Sequence, residues 1–153
     1  MTTSPGTSDP RTSAADLIRI LEEQVAAMNA HDSERFANFY SEDAVVRDPQ
    51  YPDPLQGRAA VATDFTTFLT AFPDLRADVT CTVVSGHTLA AEMTIAGTHT
   101  GPLTLPSGDV PPTHKTLRFS MAYFDRIDEH GLIEDERRYY DVADQLEQLG
   151  LNG

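Results

Sequence analysis

The sequence predicts an α+β fold, with helices packed on one face of a mostly antiparallel sheet. Two observations carry this reading. Apolar residues recur at helical spacing as far as Phe72, then alternate with a period of two beyond Pro73. The long strands of the second half are separated by short turns that join them as hairpins. A chain of 153 residues suits one domain and buries roughly 68–70% of its unfolded surface, enough for a core or a pocket.

Residues 1–13 have no basic segment followed by an apolar one. They predict a flexible tail rather than a secretory signal, and residues 14–153 predict a single domain. Ser13 and Asp16 form a capping-box-like start to a first helix reaching about residue 30. Its apolar stripe is Leu17, Ile20, Leu21, Val25 and Met28, with Gln24 on the flank. Residues 29–32 break that helix and cap a second, at 33–40, which buries Phe36 and Tyr40. Residues 44–46 predict a first short strand. A loop stiffened by Pro52 and Pro54 leads to Gly57 and a third helix, whose stripe is Val61, Phe65, Phe68, Leu69 and Phe72.

Leu75, Ala77, Val79, Cys81 and Val83 then alternate as a long strand, with Cys81 expected in the core. Leu89, Ala91, Met93 and Ile95 alternate again in the next, with Ala90, Glu92, Thr94 and Ala96 on its other face. A proline-rich loop at 101–112 precedes a strand at 114–126, and a last strand at 132–141 leads into a short helix at 142–149. Both faces of the later strands carry apolar residues. One can bury against the helices, and a second copy of the chain is the simplest cover for the other, so a homodimer through the outer sheet face is expected.

The net charge of −13 repels nucleic acid and anionic membranes. No apolar run approaches the roughly 18–20 residues of a membrane span. The single cysteine excludes an intrachain disulfide and a multi-cysteine zinc site, and no histidine–carboxylate group has metal-ligand spacing. The expectation is a cytoplasmic protein without metal or cofactor.

Several segments resemble the SnoaL-like polyketide cyclases of the nuclear transport factor 2-like superfamily. They are Ala26-Ala27-Met28-Asn29-Ala30-His31-Asp32, the run from Phe39 to Pro49, Gly57-Arg58-Ala59-Ala60-Val61, Ala71-Phe72-Pro73-Asp74-Leu75, Gly97-Thr98-His99-Thr100-Gly101, and the ending from Tyr140 to Leu151. The resemblance implies a conical half-barrel: a curved sheet whose concave face is closed by three N-terminal helices around an apolar pocket, dimerising through the outer face. It implies a small apolar molecule as ligand.

The resemblance also places candidate site residues. Asp48 falls where ketosteroid isomerases carry their proton-shuttling base, and an aspartate in an apolar cavity suits proton transfer beside a carbonyl. An Asp-Pro at a strand end also serves as a turn-former that binds local amides. The isomerases' oxyanion-hole tyrosine falls on Gln24, and their protonated aspartate falls on Ala122, which is also the acid/base position of SnoaL-like cyclases. Gln24 retains one possible donor; Ala122 supplies nothing. Epoxide hydrolases use an Asp-Arg-Asp arrangement, and Glu92, Thr94 and Arg138 fall there. Glu92 and Arg138 are expected to face the cavity, either as an ion pair or with Arg138 or Arg118 binding a carboxylate. His99 lies at a strand end beside the proline-rich loop, as acid/base or as loop brace. His114 could close the same loop, while His31, His87 and His130 are expected in solvated turns. Tyr40 and Tyr140 are candidate pocket liners, with Phe65, Phe68 and Phe124 as apolar walls.

Together these readings point to a small-molecule enzyme moving protons on an apolar, carbonyl-bearing ring compound, with Asp48 as base and His99 assisting. A non-catalytic apolar-ligand binder, a dimeric module with a filled core, and an epoxide hydrolase-like hydrolase stay open beside it.

Overall fold

The computed structural model describes residues 13–151 together with Asp9 and Arg11. The tail expected at 1–13 lies almost wholly outside the described residues. The fold is the expected α+β half-barrel: a curved six-stranded sheet with helices on its concave side.

Helix α1 (Ala14–Asn29) starts at Ser13, whose hydroxyl accepts the Asp16 amide at 3.2 Å. Leu17, Leu21, Gln24, Ala27 and Met28 turn inward, so Gln24 sits within the buried stripe and not on its flank. The end of α1 is tied to the sheet by Asn29, whose side chain pairs with both the N–H and the C=O of Ala77 at 2.8 and 2.9 Å. The His31 ring is not simply solvated; it contacts the Leu75 carbonyl at 2.7 Å.

Helix α2 (Ser33–Ala37) is shorter than its apolar pattern suggests, and strand β1 (Tyr40–Arg47) begins earlier. Long-range pairing overrides the local pattern: Tyr40 pairs with Ile133, and the Phe39 carbonyl accepts the Ile133 amide at 2.8 Å. Within the loop expected at 50–57, β2 (Leu55–Gln56) pairs with β1. Helix α3 (Arg58–Ala71) buries Val61 and Phe65, and the Phe65 ring stacks on Phe36 at 4.2 Å.

The long strands are β3 (Arg76–Ser85), β4 (Thr88–Thr98), β7 (Thr116–Ile127) and β8 (Ile133–Tyr139). The proline-rich loop between β4 and β7 folds into a small hairpin, β5 (Leu103–Leu105) with β6 (Gly108–Val110), lying against α3. Helix α4 (Val142–Gln148) closes the chain. The main sheet runs β2-β1-β8-β7-β4-β3, antiparallel throughout except for the parallel pair β1–β8. That pair brings the ends of β1 and β8 side by side, which is what assembles the site.

Cys81 is exposed and not in the core. A bulge between Val79 and Cys81 inserts a residue into β3 and reverses which residues face inward. Ala77 opposes the inward Ile95, but Cys81 opposes the outward Glu92. A one-residue shift of this kind moves every following side chain to the other face. Val83, Phe124 and Tyr139 are likewise exposed on the outer face, with the Arg137 guanidinium 5.4 Å from the Phe124 ring centre. No helix is long and apolar enough to cross a membrane.

The segment Gly97–Gly101 presses against the end of α3. A β-carbon on Gly101 would lie 1.9 Å from the Thr70 carbonyl oxygen, and one on Gly97 would lie 3.0 Å from the Phe72 β-carbon. Glycine is needed at both positions because backbone and ring pass too close for a side chain.

Candidate functional site

Between α1, α3 and the concave sheet lies a cavity of about 70 Å³. Its apolar wall includes Val25, Met28, Phe36, Phe65, Phe68, Met93 and Met121; its polar wall is Gln24, Tyr40, Asp64, Tyr123, Glu136 and Arg138. A water needs roughly 10–15 Å³ on this measure. The space therefore holds a few waters as it stands, and a ring compound enters only if the wall yields. Three methionines on that wall have the unbranched, adaptable side chains that allow it.

The polar wall is organised by Arg138. Its Nε donates to Glu136 Oε2 at 2.7 Å, and its Nη1 donates to Asp64 Oδ2 at 2.9 Å and Asp48 Oδ2 at 3.1 Å. Each carboxyl group is completed by one tyrosine hydroxyl. Tyr40 donates to Glu136 at 2.9 Å, Tyr51 to Asp64 Oδ1 at 2.6 Å, and Tyr140 to Asp48 Oδ1 at 2.5 Å. One cation thus faces three acids, and charge-assisted bonds of this type are the strong ones.

Strand alternation explains why these residues meet. Glu136 and Arg138 are two apart on β8 and share a face. Parallel pairing sets β1 beside β8 in register, Val46 against Glu136 and Arg47 against Arg137, and so delivers Asp48 next to Arg138. Asp64 comes from α3, one residue before the buried Phe65.

Burial opposes the charge on Arg138, but Glu136, Tyr40, Asp64 and Asp48 outweigh it and hold the guanidinium firmly protonated. The Tyr40, Tyr51, Tyr123 and Tyr140 hydroxyls are all pushed up, first by burial and then by neighbouring carboxylates. Tyr40, Tyr51 and Tyr140 therefore act as hydrogen-bond donors. Behind Glu136 lies Asp125, 2% exposed. Burial first, then the Glu136 charge, raises its carboxyl well above the usual range.

Asp48 is 9% exposed and does not itself line the cavity; it reaches the cavity through Arg138. Its Oδ1 also accepts the Gln50 amide at 2.9 Å, so the expected turn chemistry is present beside the charge network. Gln24, Tyr40 and Arg138 line the cavity, while Tyr140 packs on Phe119 and serves Asp48.

His99 does not line the cavity. It is fully buried, stacks on Phe72 at 5.3 Å, and its Nδ1 lies 2.9 Å from the Thr113 hydroxyl and accepts the Thr113 amide at 3.2 Å. Burial, followed by repulsion from His114, lowers its pKa below the ordinary value. The His99 main chain also bonds Lys115 and His114, so the residue braces the start of β7.

Glu92, Arg118, Ala122 and Phe124 belong to the outer side of the sheet and are corrections to the expected site. Glu92 opposes Ala122 across β4 and β7 and accepts the Thr80 hydroxyl at 3.0 Å. Arg118 is exposed, its backbone bonded to Gln148 of α4. Phe124 packs edge-on to Tyr139. On β7 the inward residues are Phe119, Met121, Tyr123 and Asp125. Ala122 therefore does not leave a gap in the cavity wall, because its position faces away from it.

Asp64, Glu136, Tyr51, Tyr123 and Asp125 were not expected. Glu136 and Asp125 carry a signal in the alternation of β8 and β7, each two residues from a polar inward neighbour. Asp64 offers only its place three residues from Val61 and four from Phe68. Among the described residues no group of three or more His, Cys, Asp or Glu side chains is arranged to hold a metal ion.

Comparison with known proteins agrees with this architecture. The family model described as SnoaL-like polyketide cyclase matches residues 16–149. Among solved structures, AclR of Streptomyces galilaeus, a proposed hydroxylase, superposes with a TM-score of 0.77 at 23% identity over 90% of this chain and 83% of its own. IdmH of Streptomyces antibioticus, a proposed polyketide cyclase, gives 0.70 at 25% identity over 88% and 98%. SalBIII, an epoxide hydrolase/cyclase-like enzyme in pyran ring formation, gives 0.71 at 18% over 85% and 94%. A comparison with curated protein sequences found no match.

Proposed function

Because the chain belongs to the SnoaL-like polyketide cyclase family, we propose that it is an acid–base enzyme acting on an apolar, carbonyl-bearing ring compound, as in an aldol cyclisation or isomerisation. One observation carries this reading. A carboxyl group, Asp64, stands on the polar wall of a cavity whose other wall is apolar, while Arg138 and Tyr51 fix both of its oxygens. A positioned carboxylate of this kind is a general base for a C–H beside a carbonyl. Asp48, first expected in that role, supports it from behind Arg138.

In the step, the α C–H bond breaks and its proton passes to Asp64. The freed pair forms the C=C bond of the enolate, and the carbonyl π pair moves onto oxygen. In an isomerisation the proton returns from Asp64 to another carbon of the enolate system; in an aldol cyclisation the enolate carbon bonds the acceptor carbonyl carbon, that carbonyl's π pair moves onto its oxygen, and the oxygen takes the proton. The test is exchange of the ring α-protons of 2-indanone in D₂O, followed by NMR. Wild type should accelerate exchange, and Asp64→Asn should lose roughly 10²–10⁴-fold of that acceleration. No acceleration by the folded wild type sinks the reading and leaves a ligand-binding protein.

A second reading, epoxide hydrolysis, draws support from the Asp48–Arg138–Asp64 bridge itself, which is an Asp-Arg-Asp arrangement built from other positions than the sequence suggests. Turnover of cyclohexene oxide without ketone exchange would favour it. We also infer that the outer face, with Val83, Phe124 and Tyr139 exposed, seats a second copy of the chain.

A further inference from the structure

Four buried side-chain atoms have no hydrogen-bond partner among the described residues: Gln24 Nε2, Tyr123 Oη, Asp125 Oδ1 and His99 Nε2. Only Gln24 and Tyr123 line the cavity. Each is 4% exposed, so neither can turn to bulk water. A buried, unpaired polar group is costly, and native structures rarely keep one without a use. Two of them, both able to donate, on the wall of one cavity call for an acceptor that arrives with a ligand.

We propose that Gln24 and Tyr123 together hold the oxygen of the substrate, making the cavity selective for a ring compound with one hydrogen-bond-accepting oxygen, a ketone or its enolate. The assignment rests on the acid–base reading for what happens next, but not for binding.

The chemistry of the wall supports it. The two donors come from different elements, Gln24 from α1 and Tyr123 from β7, and both line the one cavity. Both are neutral. Burial keeps the Tyr123 hydroxyl protonated, and the nearby Glu136 charge adds to the effect. The acids on this wall are held in place: Glu136 and Asp64 each accept from Arg138 and a tyrosine. A carboxylate ligand would add a negative charge beside them, whereas a neutral carbonyl adds none. Positioned donors stabilise the charge that develops on that oxygen during proton abstraction, more so in a water-poor site. Tyr123 also answers the missing donor at Ala122: the donor stands on the neighbouring residue, which faces inward.

The experiment compares 2-indanone with indane, the same skeleton without the oxygen, by titration calorimetry on full-length protein. Wild type should bind the ketone about tenfold more tightly than the hydrocarbon, the scale of one or two hydrogen bonds. Tyr123→Phe and Gln24→Leu should each remove most of that preference, read as the ratio of ketone to indane affinity in the same variant. Because each variant deletes an unpaired buried donor, its Tm should hold or rise, which a structural role for either residue would not allow. Equal binding of ketone and hydrocarbon by wild type, no binding of either, or unchanged preference in both variants overturns the assignment. Deuterium exchange separates the two readings. Loss of exchange in Asp64→Asn with ketone preference intact leaves both standing. Ketone preference without exchange in wild type removes the acid–base reading alone. Wild-type exchange rates in both donor variants remove the Gln24–Tyr123 assignment alone.

Discussion

Replacing Asp125 by asparagine should remove a pH dependence from the folding equilibrium. Asp125 is buried against Glu136, its partner in register across β7 and β8, and to that acid it is hydrogen-bonded. In the unfolded chain an aspartate loses its proton near pH ~4. In the folded protein, burial and the Glu136 charge raise its pKa well above that value. The folded state therefore binds one more proton over the interval between the two values. The contribution is fully present below the unfolded pKa and is lost as pH rises toward the folded one. One proton corresponds to ~1.4 kcal/mol per pH unit. As pH rises from 5 to 7 the stability of Asp125→Asn should thus gain on wild type, by at most that slope, because asparagine has nearly the same shape, can donate to Glu136 and never ionises. The assay is urea unfolding followed by far-ultraviolet circular dichroism at pH 5, 6 and 7, at one fixed protomer concentration. Taking the difference cancels groups common to both proteins, including His99, whose lowered pKa acts in the opposite sense. Parallel stability curves for the two proteins would refute the buried, protonated Asp125.

Three further outcomes follow from the packing and charge already described. Arg138→Met leaves Asp48, Asp64 and Glu136 without their cation and should cost about 3–5 kcal/mol, read as a fall in the urea midpoint. If the midpoint stays within error, Arg138 is not what holds the acids. Gly101→Ala drives a methyl group into the Thr70 carbonyl and should cost at least ~2 kcal/mol in the same assay; a neutral result means that the loop moves freely off α3. The double variant Val83→Lys with Phe124→Lys puts charge on the outer face and should convert a dimer to a monomer in light scattering without lowering helix content. A wild type that already runs as a monomer discards that interface.

The legible parts of the sequence were those governed by neighbours. Ser13 capping α1, the Val61–Phe65–Phe68 stripe and the change of period after Pro73 all depend on residues a turn or a pleat apart. The site depends on distance. Arg138 meets Asp48 and Asp64 across 90 and 74 positions of chain, and no local pattern records which acid a guanidinium will reach. Register was the other loss. The expected donor position fell on Ala122, but the cavity sees Met121 and Tyr123, and in a strand one residue separates inside from outside. The bulge after Val79 did the same to Cys81, and nothing in that segment's alternation announces it. His99 stands at a strand end, where the rim of a pocket and the brace of a loop look alike until Phe72 and Thr113 are seen against the ring.

The bulge that turned Cys81 outward also equipped the molecule with a reporter. It is the single thiol of the chain, set in a shallow depression with Val83, Ala122 and Phe124, and the thickness of the sheet separates it from Arg138 and the cavity. A dye or spin label attached there gives one probe per protomer without touching the chemistry. Its alkylation rate becomes a footprint of assembly: fast when the outer face is bare, slow when a second copy covers it. Occupancy of the cavity and occupancy of the outer face can then be followed in one sample, by ketone exchange on one side of the sheet and thiol protection on the other.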